Sequence, residues 1–112
     1  MESIRQQKVA RLVQRELSEI FQQNANMFFD AMITVTVVRM SPDLSLAKSY
    51  LSIYSLKKEE QEIFSVIEEN KKNIRLWLGQ RIRNKIKSIP EIAFFIDDSY
   101  EYSKRIEELL KK

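Results

Sequence analysis

Residues 33–40 read Ile33-Thr34-Val35-Thr36-Val37-Val38-Arg39-Met40, an alternating run dense in the β-branched side chains that pack well on a pleated surface. The run predicts a strand. Ser41-Pro42-Asp43 follows with turn chemistry and residues 47–55 alternate again, so the two segments predict an antiparallel hairpin. The segments around the hairpin carry a different period. In residues 3–24, Val9, Leu12, Val13, Leu17, Ile20 and Phe21 recur at three- and four-residue steps, which makes an amphipathic helix. A second helix opens at Lys57-Lys58-Glu59-Glu60-Gln61-Glu62, with carboxylates where the helix dipole favours them, and buries Ile63, Phe64, Val66 and Ile67. A third repeats Ile74, Leu78, Ile82 and Ile86 every four residues, with Trp77 beside them, and runs until Pro90 ends it. The two are nearly contiguous, so a bend is expected near residues 70–73. Ile92-Ala93-Phe94-Phe95-Ile96 predicts a third, well-covered strand, and Asp97-Asp98-Ser99 a cap for a last helix over residues 100–112, with Ile106, Leu109 and Leu110 inward. The order is α-β-β-α-α-β-α, an α+β chain of three strands covered by helices on at least one face.

No Pro/Gly-rich or low-complexity stretch divides the 112 residues, which predicts a single domain over 1–112. With 44% hydrophobic residues, the chain can close a modest core without disulfides or a metal. Cysteine and histidine are both absent. Their absence removes the common zinc sites, thiolate chemistry and imidazole bases, and the remaining Asp/Glu, Lys, Ser and Tyr form no recognisable constellation. An enzyme is therefore not expected, nor a metal or cofactor. Met1-Glu2-Ser3-Ile4-Arg5 opens a charged helical pattern instead of a signal region, and no apolar run approaches membrane-spanning length. A cytoplasmic protein without membrane contact is expected.

The net charge of +3 says little by itself; its distribution says more. Between Lys71 and Lys87 stand Lys71, Lys72, Arg75, Arg81, Arg83, Lys85 and Lys87, seven basic residues in seventeen with no acidic residue among them. Like charges so crowded on a helix repel one another unless a polyanion absorbs them, whereas an ordinary solvated helix mixes signs. The run predicts nucleic-acid contact, and the bland alternative is a solubilising face. Phosphate neutralisation would supply most of the affinity, and the arginines could also stack on unpaired bases. Arg5, Lys8, Arg11 and Arg15 on the first helix give a weaker signal of the same kind. Trp77 is read as core in preference to a base-stacking platform. Gly79, the only glycine, interrupts a helix at a cost of roughly 1 kcal/mol relative to Ala, which suggests close backbone approach by the sheet or by a sugar-phosphate chain. Asp97 and Asp98 are read as capping groups in preference to an acid-base pair.

Several separated segments in this order resemble the ribosome-binding factor A family over nearly the whole chain. They are Arg5, Lys8-Val9 and Glu16-Leu17; Met40-Ser41-Pro42-Asp43-Leu44; Ala47-Lys48-Ser49-Tyr50-Leu51-Ser52; Ile74-Arg75 and Leu78-Gly79; Ile89-Pro90-Glu91-Ile92-Ala93-Phe94-Phe95; and Asp97-Asp98-Ser99. The resemblance implies a type II KH-like fold, in which a bent helix pair replaces the Gly-x-x-Gly loop of ordinary KH domains. It also implies binding to the immature 30S ribosomal subunit, a part in late maturation and processing of its 16S rRNA, and a link to growth at low temperature. A monomer is expected. Many members carry Ala-x-Gly at the bend, where this chain has Asn70-Lys71-Lys72, so a shallower or shifted bend with more positive charge is expected. The competing function is a protein-interaction module that recruits a partner through an exposed strand edge.

Overall fold

The computed structural model describes residues 2–97. Helix α1 (Ile4–Gln23) starts where Ser3 and Gln6 cap each other: Gln6 N donates to Ser3 Oγ at 3.0 Å and Ser3 N to Gln6 Oε1 at 2.8 Å. Gln6 Nε2 then donates to the Met40 carbonyl at 3.0 Å, pinning the start of α1 to the end of strand β1 (Met32–Met40). Strand β2 (Leu46–Tyr54) pairs with β1 antiparallel, as the hairpin pattern requires, with Met40 opposite Ala47 and Met32 opposite Tyr54. The register shifts between Val35 and Val37, where Thr36 is the extra residue of a bulge. Gln14 on α1 closes that bulge by donating to the Val35 and Thr36 carbonyls at 2.9 and 3.2 Å.

The chain crosses over through helices α2 (Glu60–Glu69) and α3 (Lys71–Ile82) to strand β3 (Glu91–Ile96), which pairs with β2 in parallel. Sheet order is β1-β2-β3. A parallel pair needs such a crossover, and the helices of the crossover join α1 in the layer that covers the sheet. Ile33, Val35, Val38, Ala47, Leu51, Ile92 and Phe94 face that layer and close one buried cluster with Val13, Leu17 and Ile20 of α1 and Ile74, Leu78 and Ile82 of α3. Phe21 stands edge-on to Phe28 and Phe94 at centroid distances of 5.6 and 6.0 Å. Ser49, facing the same core, is the one buried side chain among the described residues whose polar atom finds no partner.

Three sequence expectations change. Helix α2 opens three residues later than Lys57, because Ser55 Oγ accepts from the amides of Lys57 and Lys58 at 3.0 and 3.3 Å and holds them in a turn. Helix α3 ends at Ile82 instead of running to Pro90: past it the Lys85 amide reaches the Ile82 carbonyl at 2.8 Å, the three-residue bond of a tighter turn, and the Ile86 amide shares that carbonyl at the longer 3.2 Å. The isoleucine period survives the break since Ile86 and Ile89 still fold onto the core. Strand β3 is covered on one face only: Ile92 and Phe94 are buried, but Phe95 on the other face keeps 42% of its surface exposed. The helix expected over residues 100–112, and its cap at Asp98 and Ser99, lie outside the described residues.

Candidate nucleic-acid interface

The bend between α2 and α3 is a single residue. Asn70 sits at φ −99°, ψ 11°, its amide bonds the carbonyls of Val66 and Ile67 at 3.1 Å, and its side chain donates to Val66 O at 2.8 Å. Its own carbonyl accepts from Ile74 at 2.9 Å, so α3 starts immediately. A side-chain amide thus closes the elbow without a glycine. Trp77 is half-buried against the core, in agreement with the sequence reading. Gly79 is approached by neither the sheet nor open solvent alone. A Cβ there would meet Ile89 side-chain atoms at 3.4 to 3.8 Å, an ordinary contact with the segment that returns from α3.

The seven cations of residues 71–87 do not share one helix face, and this corrects the bent-helix picture. Arg81 points at α1: Nη1 donates to Glu19 Oε2 at 2.7 Å and to Glu16 Oε1 at 3.4 Å, and Nη2 donates to Gln23 Oε1. With its side chain 24% exposed, Arg81 fastens one helix to the other and is not a free contact group. Arg75 donates to the carbonyls of Pro90 and Ile89 at 3.0 and 2.9 Å and lies 3.5 Å from Glu91, so it holds the return segment beside α3. Lys71 lies 3.4 Å from Glu68 on the previous helix. Packing supplies acids that the linear run lacks.

Lys72, Arg83, Lys85 and Lys87 behave differently. All four are exposed, and among the described residues no hydrogen bond or ion pair engages their side chains. Arg83, Lys85 and Lys87 stand beyond the end of α3. Lys72 and Arg83 line a groove of about 1290 Å³ between α3 and β3, with Leu76, Gly79 and Ile89 as its apolar part; its acids are Glu68 and Glu91, which lie against Lys71 and Arg75, and Glu69. Lys87 and Arg5 line a second hollow of about 120 Å³ beside Asp43 and Leu44. Ser88 borders both spaces, so they meet along the return segment. Cations of α1 and of residues 71–87, far apart in sequence, therefore line two adjoining hollows, a track with Lys72 and Arg83 at one end and Lys87 and Arg5 at the other. Lys8 and Arg11 continue it on exposed positions of α1, also without described partners. Arg15 leaves the set, since its Nε lies 3.1 Å from Glu16.

Asp43 does not cancel this charge. Its Oδ1 accepts from the hydroxyls of Ser45 and Ser41 at 2.7 and 2.8 Å and from the Ser45 amide at 3.1 Å. These hydrogen bonds, the Ser45 hydroxyl first, hold its carboxyl down from 3.8 to about 2. Two exposed cations of the sheet were not among the expected contact residues, Arg39 on β1 and Lys48 on β2, which lie directly opposite each other. Counting outward from the hairpin turn would have paired them.

The sequence model of the family described as ribosome-binding factor A matches residues 5–110. The chain belongs to the ribosome-binding factor A family. It is 46% identical to ribosome-binding factor A of Cytophaga hutchinsonii over 113 residues, covering 100% of this chain and 84% of that protein. It is 39% identical to that of Chlorobaculum tepidum over 109 residues, covering 97% and 90%. Among solved structures, the crystal structure of ribosome-binding factor A from Thermus thermophilus superimposes with a TM-score of 0.67 at 21% identity, over 81% of this chain and 94% of that one. A Thermus thermophilus homology model, fitted into the cryo-electron microscopy map of a 30S complex with that factor, gives 0.57 at 24% identity over 75% and 86%. The solution structure of a Thermotoga maritima protein described as a putative ribosome binding factor A gives 0.63 at 22% identity over 85% and 89%. The fold is the KH-like fold of ribosome-binding factor A. Within it, this family member builds its elbow from Asn70 and its cationic track from the return segment.

Proposed function

We propose that the chain binds the immature 30S ribosomal subunit through its 16S rRNA and assists late maturation and processing of that RNA without catalysing a reaction. The observation that carries the reading is the set of exposed cations along two adjoining hollows, Lys72 and Arg83 on one and Lys87 and Arg5 on the other, with Lys85, Lys8 and Arg11 beside them and no side-chain partner among the described residues. Phosphates are the ligand that such a surface fits, and a Thermus thermophilus model of the family was fitted into the map of a 30S complex. The mechanism is differential binding. The factor stabilises whichever RNA arrangement it holds more tightly, by no more than that difference in affinity, and leaves when the mature surface forms. Action in the cytoplasm as a monomer, and a part in growth at low temperature, complete the proposal. None of the described helices is long and apolar enough to cross a membrane.

The test is sedimentation of cell extract followed by binding to purified immature subunits across salt. Co-migration with free small subunits is expected, with log affinity falling by about 0.7 to 0.9 per contact for each decade of salt. Recovery only in ribosome-free fractions, without affinity for immature subunits, would overturn the proposal. One observation favours a second reading, recruitment of a protein: β3 is an edge strand with no described strand on its other side. A partner held by that edge would give a nearly flat salt response.

A further inference from the structure

All described helices pack on one face of the sheet, so the other face has no described cover. Its side chains form rows across the strands. Arg39 and Lys48 are opposite each other, with Ala93 next to Lys48; Val37, Tyr50 and Phe95 form the next row; Thr34 and Ser52 follow, and Met32 faces Tyr54 at the far end. Tyr50 and Phe95 stack at 5.2 Å with an interplanar angle of 24°. Phe95, Tyr54 and Met32 are respectively 42%, 51% and 68% exposed. Cationic and polar groups thus alternate with aromatic ones, of which Phe95 and Tyr54 are open and Tyr50 is half-buried.

From this pattern we propose that the outer sheet face binds single-stranded RNA, with phosphates at Arg39 and Lys48 and unpaired bases on the Tyr50–Phe95 pair. The inference rests on the RNA-binding reading above and adds a second surface to it. Like charges directly opposite on neighbouring strands repel, so the Arg39 and Lys48 pair weakens the free sheet and suits an anionic ligand. Glu2 offers Arg39 only a long ion pair of 3.8 Å, on a side chain 63% exposed. The row also adjoins the cationic track. It lies at the hairpin end of the sheet, where Asp43 and Leu44 share a hollow with Arg5 and Lys87. A phosphate chain leaving Arg5 can therefore pass around the hairpin turn onto the sheet. Stacking on aromatic rings tolerates any base but requires that the base be unpaired, which duplex RNA does not offer. The carboxylate of Asp97 is on the far side of the aromatic row from the cations, held by the Thr36 hydroxyl, and that of Glu91, one row beyond Lys48 on β3, lies 3.5 Å from Arg75. A second copy of the chain fits poorly, because it would bring its own Arg39 and Lys48 to the same face.

Fluorescence anisotropy with the full chain tests this, using a labelled ten-nucleotide oligoadenylate and a ten-base-pair RNA duplex as probes. Lys48→Glu and Phe95→Leu are each expected to weaken single-strand binding about tenfold, and Phe95→Leu to leave the duplex unaffected. In two-dimensional NMR, oligoadenylate should shift the ring protons of Tyr50 and Phe95. Normal single-strand affinity in both variants, with Arg83→Glu/Lys85→Glu still defective on subunits, would overturn the sheet-face inference and leave the proposed function standing. If the unaltered chain binds neither RNA nor subunits, the proposed function itself falls. Ring protons that contact residues 98–112 in the free chain and ignore RNA would assign the face to that segment and overturn the inference. So would a concentration-dependent dimer broken by Phe95→Leu. Lys48→Glu is a surface change, so the test survives if Phe95→Leu misfolds.

Discussion

Arg81 and Arg83 are two residues apart and indistinguishable in a charge count, yet the fold gives them opposite fates. Arg81 lies in the seam between α3 and α1, gripped by Glu16, Glu19 and Gln23. Arg83 follows the last turn of α3 and faces open groove. The difference teaches that a run of like charge is not yet a binding surface. A cation on a packed helix takes whatever acid its neighbour brings, and only those carried past the helix end stay available to an outside polyanion.

The sharpest way to break this comparison is to reverse the charges on the open side. Arg83→Glu/Lys85→Glu should weaken binding to immature small subunits about a hundredfold at low salt and reduce the salt slope by about 1 per lost contact. Because both residues are exposed, the unfolding free energy from urea titration should stay within about 0.5 kcal/mol of the unaltered chain. Undiminished binding with an unchanged slope would show that the track past α3 is not the contact surface.

On the closed side the outcome should invert. Arg81→Met removes charge-assisted hydrogen bonds to Glu16 and Glu19 and should cost about 2 kcal/mol of stability. Subunit binding, measured below the new melting transition, should change less than twofold. A stable Arg81→Met protein that no longer binds would erase the distinction between the two arginines.

How much of this was legible beforehand depended on the range of the interaction involved. The hairpin, the α1 stripe and the order of elements are written in local periodicity, so residues 33–40 and the Ile74, Leu78 and Ile82 repeat are found where expected. The end of α3 was not, since the backbone turn at Ile82 is compatible with an isoleucine period that continues through Ile86 and Ile89. Arg81 was misplaced for a different reason. Its acids are on α1, more than sixty residues earlier, and no window along the chain brings them together. The single exposed face of β3 could not be read from an all-apolar pentapeptide, which looks the same with one face covered or two.

Gly79 sharpens the comparison at a smaller scale, because it lines the same groove as Arg83. A Cβ would meet only Ile89 side-chain atoms, at 3.4 Å or more, so the fold leaves room for one. Gly79→Ala should therefore raise stability by up to about 1 kcal/mol in urea unfolding. Weaker subunit binding in that more stable protein would show that the ligand approaches the backbone of α3 closely. Unchanged binding would confine the contact to side chains of the return segment, and a loss of stability would mean that Ile89 cannot yield.

The smallest effect concerns Asp43, which stands in the hollow between the Arg5 and Lys87 side chains. If the open cations owed their availability to nothing but distance, this carboxylate would be their nearest natural partner. Its hydrogen bonds run instead to Ser41 and Ser45, and they lower its pKa from 3.8 to about 2. A carboxyl whose folded pKa is depressed contributes stability that is present above the unfolded value and lost as pH falls through the folded one. Acid unfolding should accordingly steepen between about pH 4 and pH 2, and Asp43→Asn should flatten that part of the curve. Raising salt separates the two partnerships. Hydrogen bonds to neutral hydroxyls are little screened, whereas ion pairs to Arg5 or Lys87 across an exposed hollow would be. An Asp43 contribution that survives high salt keeps both cations free for phosphate. One that vanishes would move Arg5 and Lys87 to the side of Arg81, among the cations the protein has already spoken for.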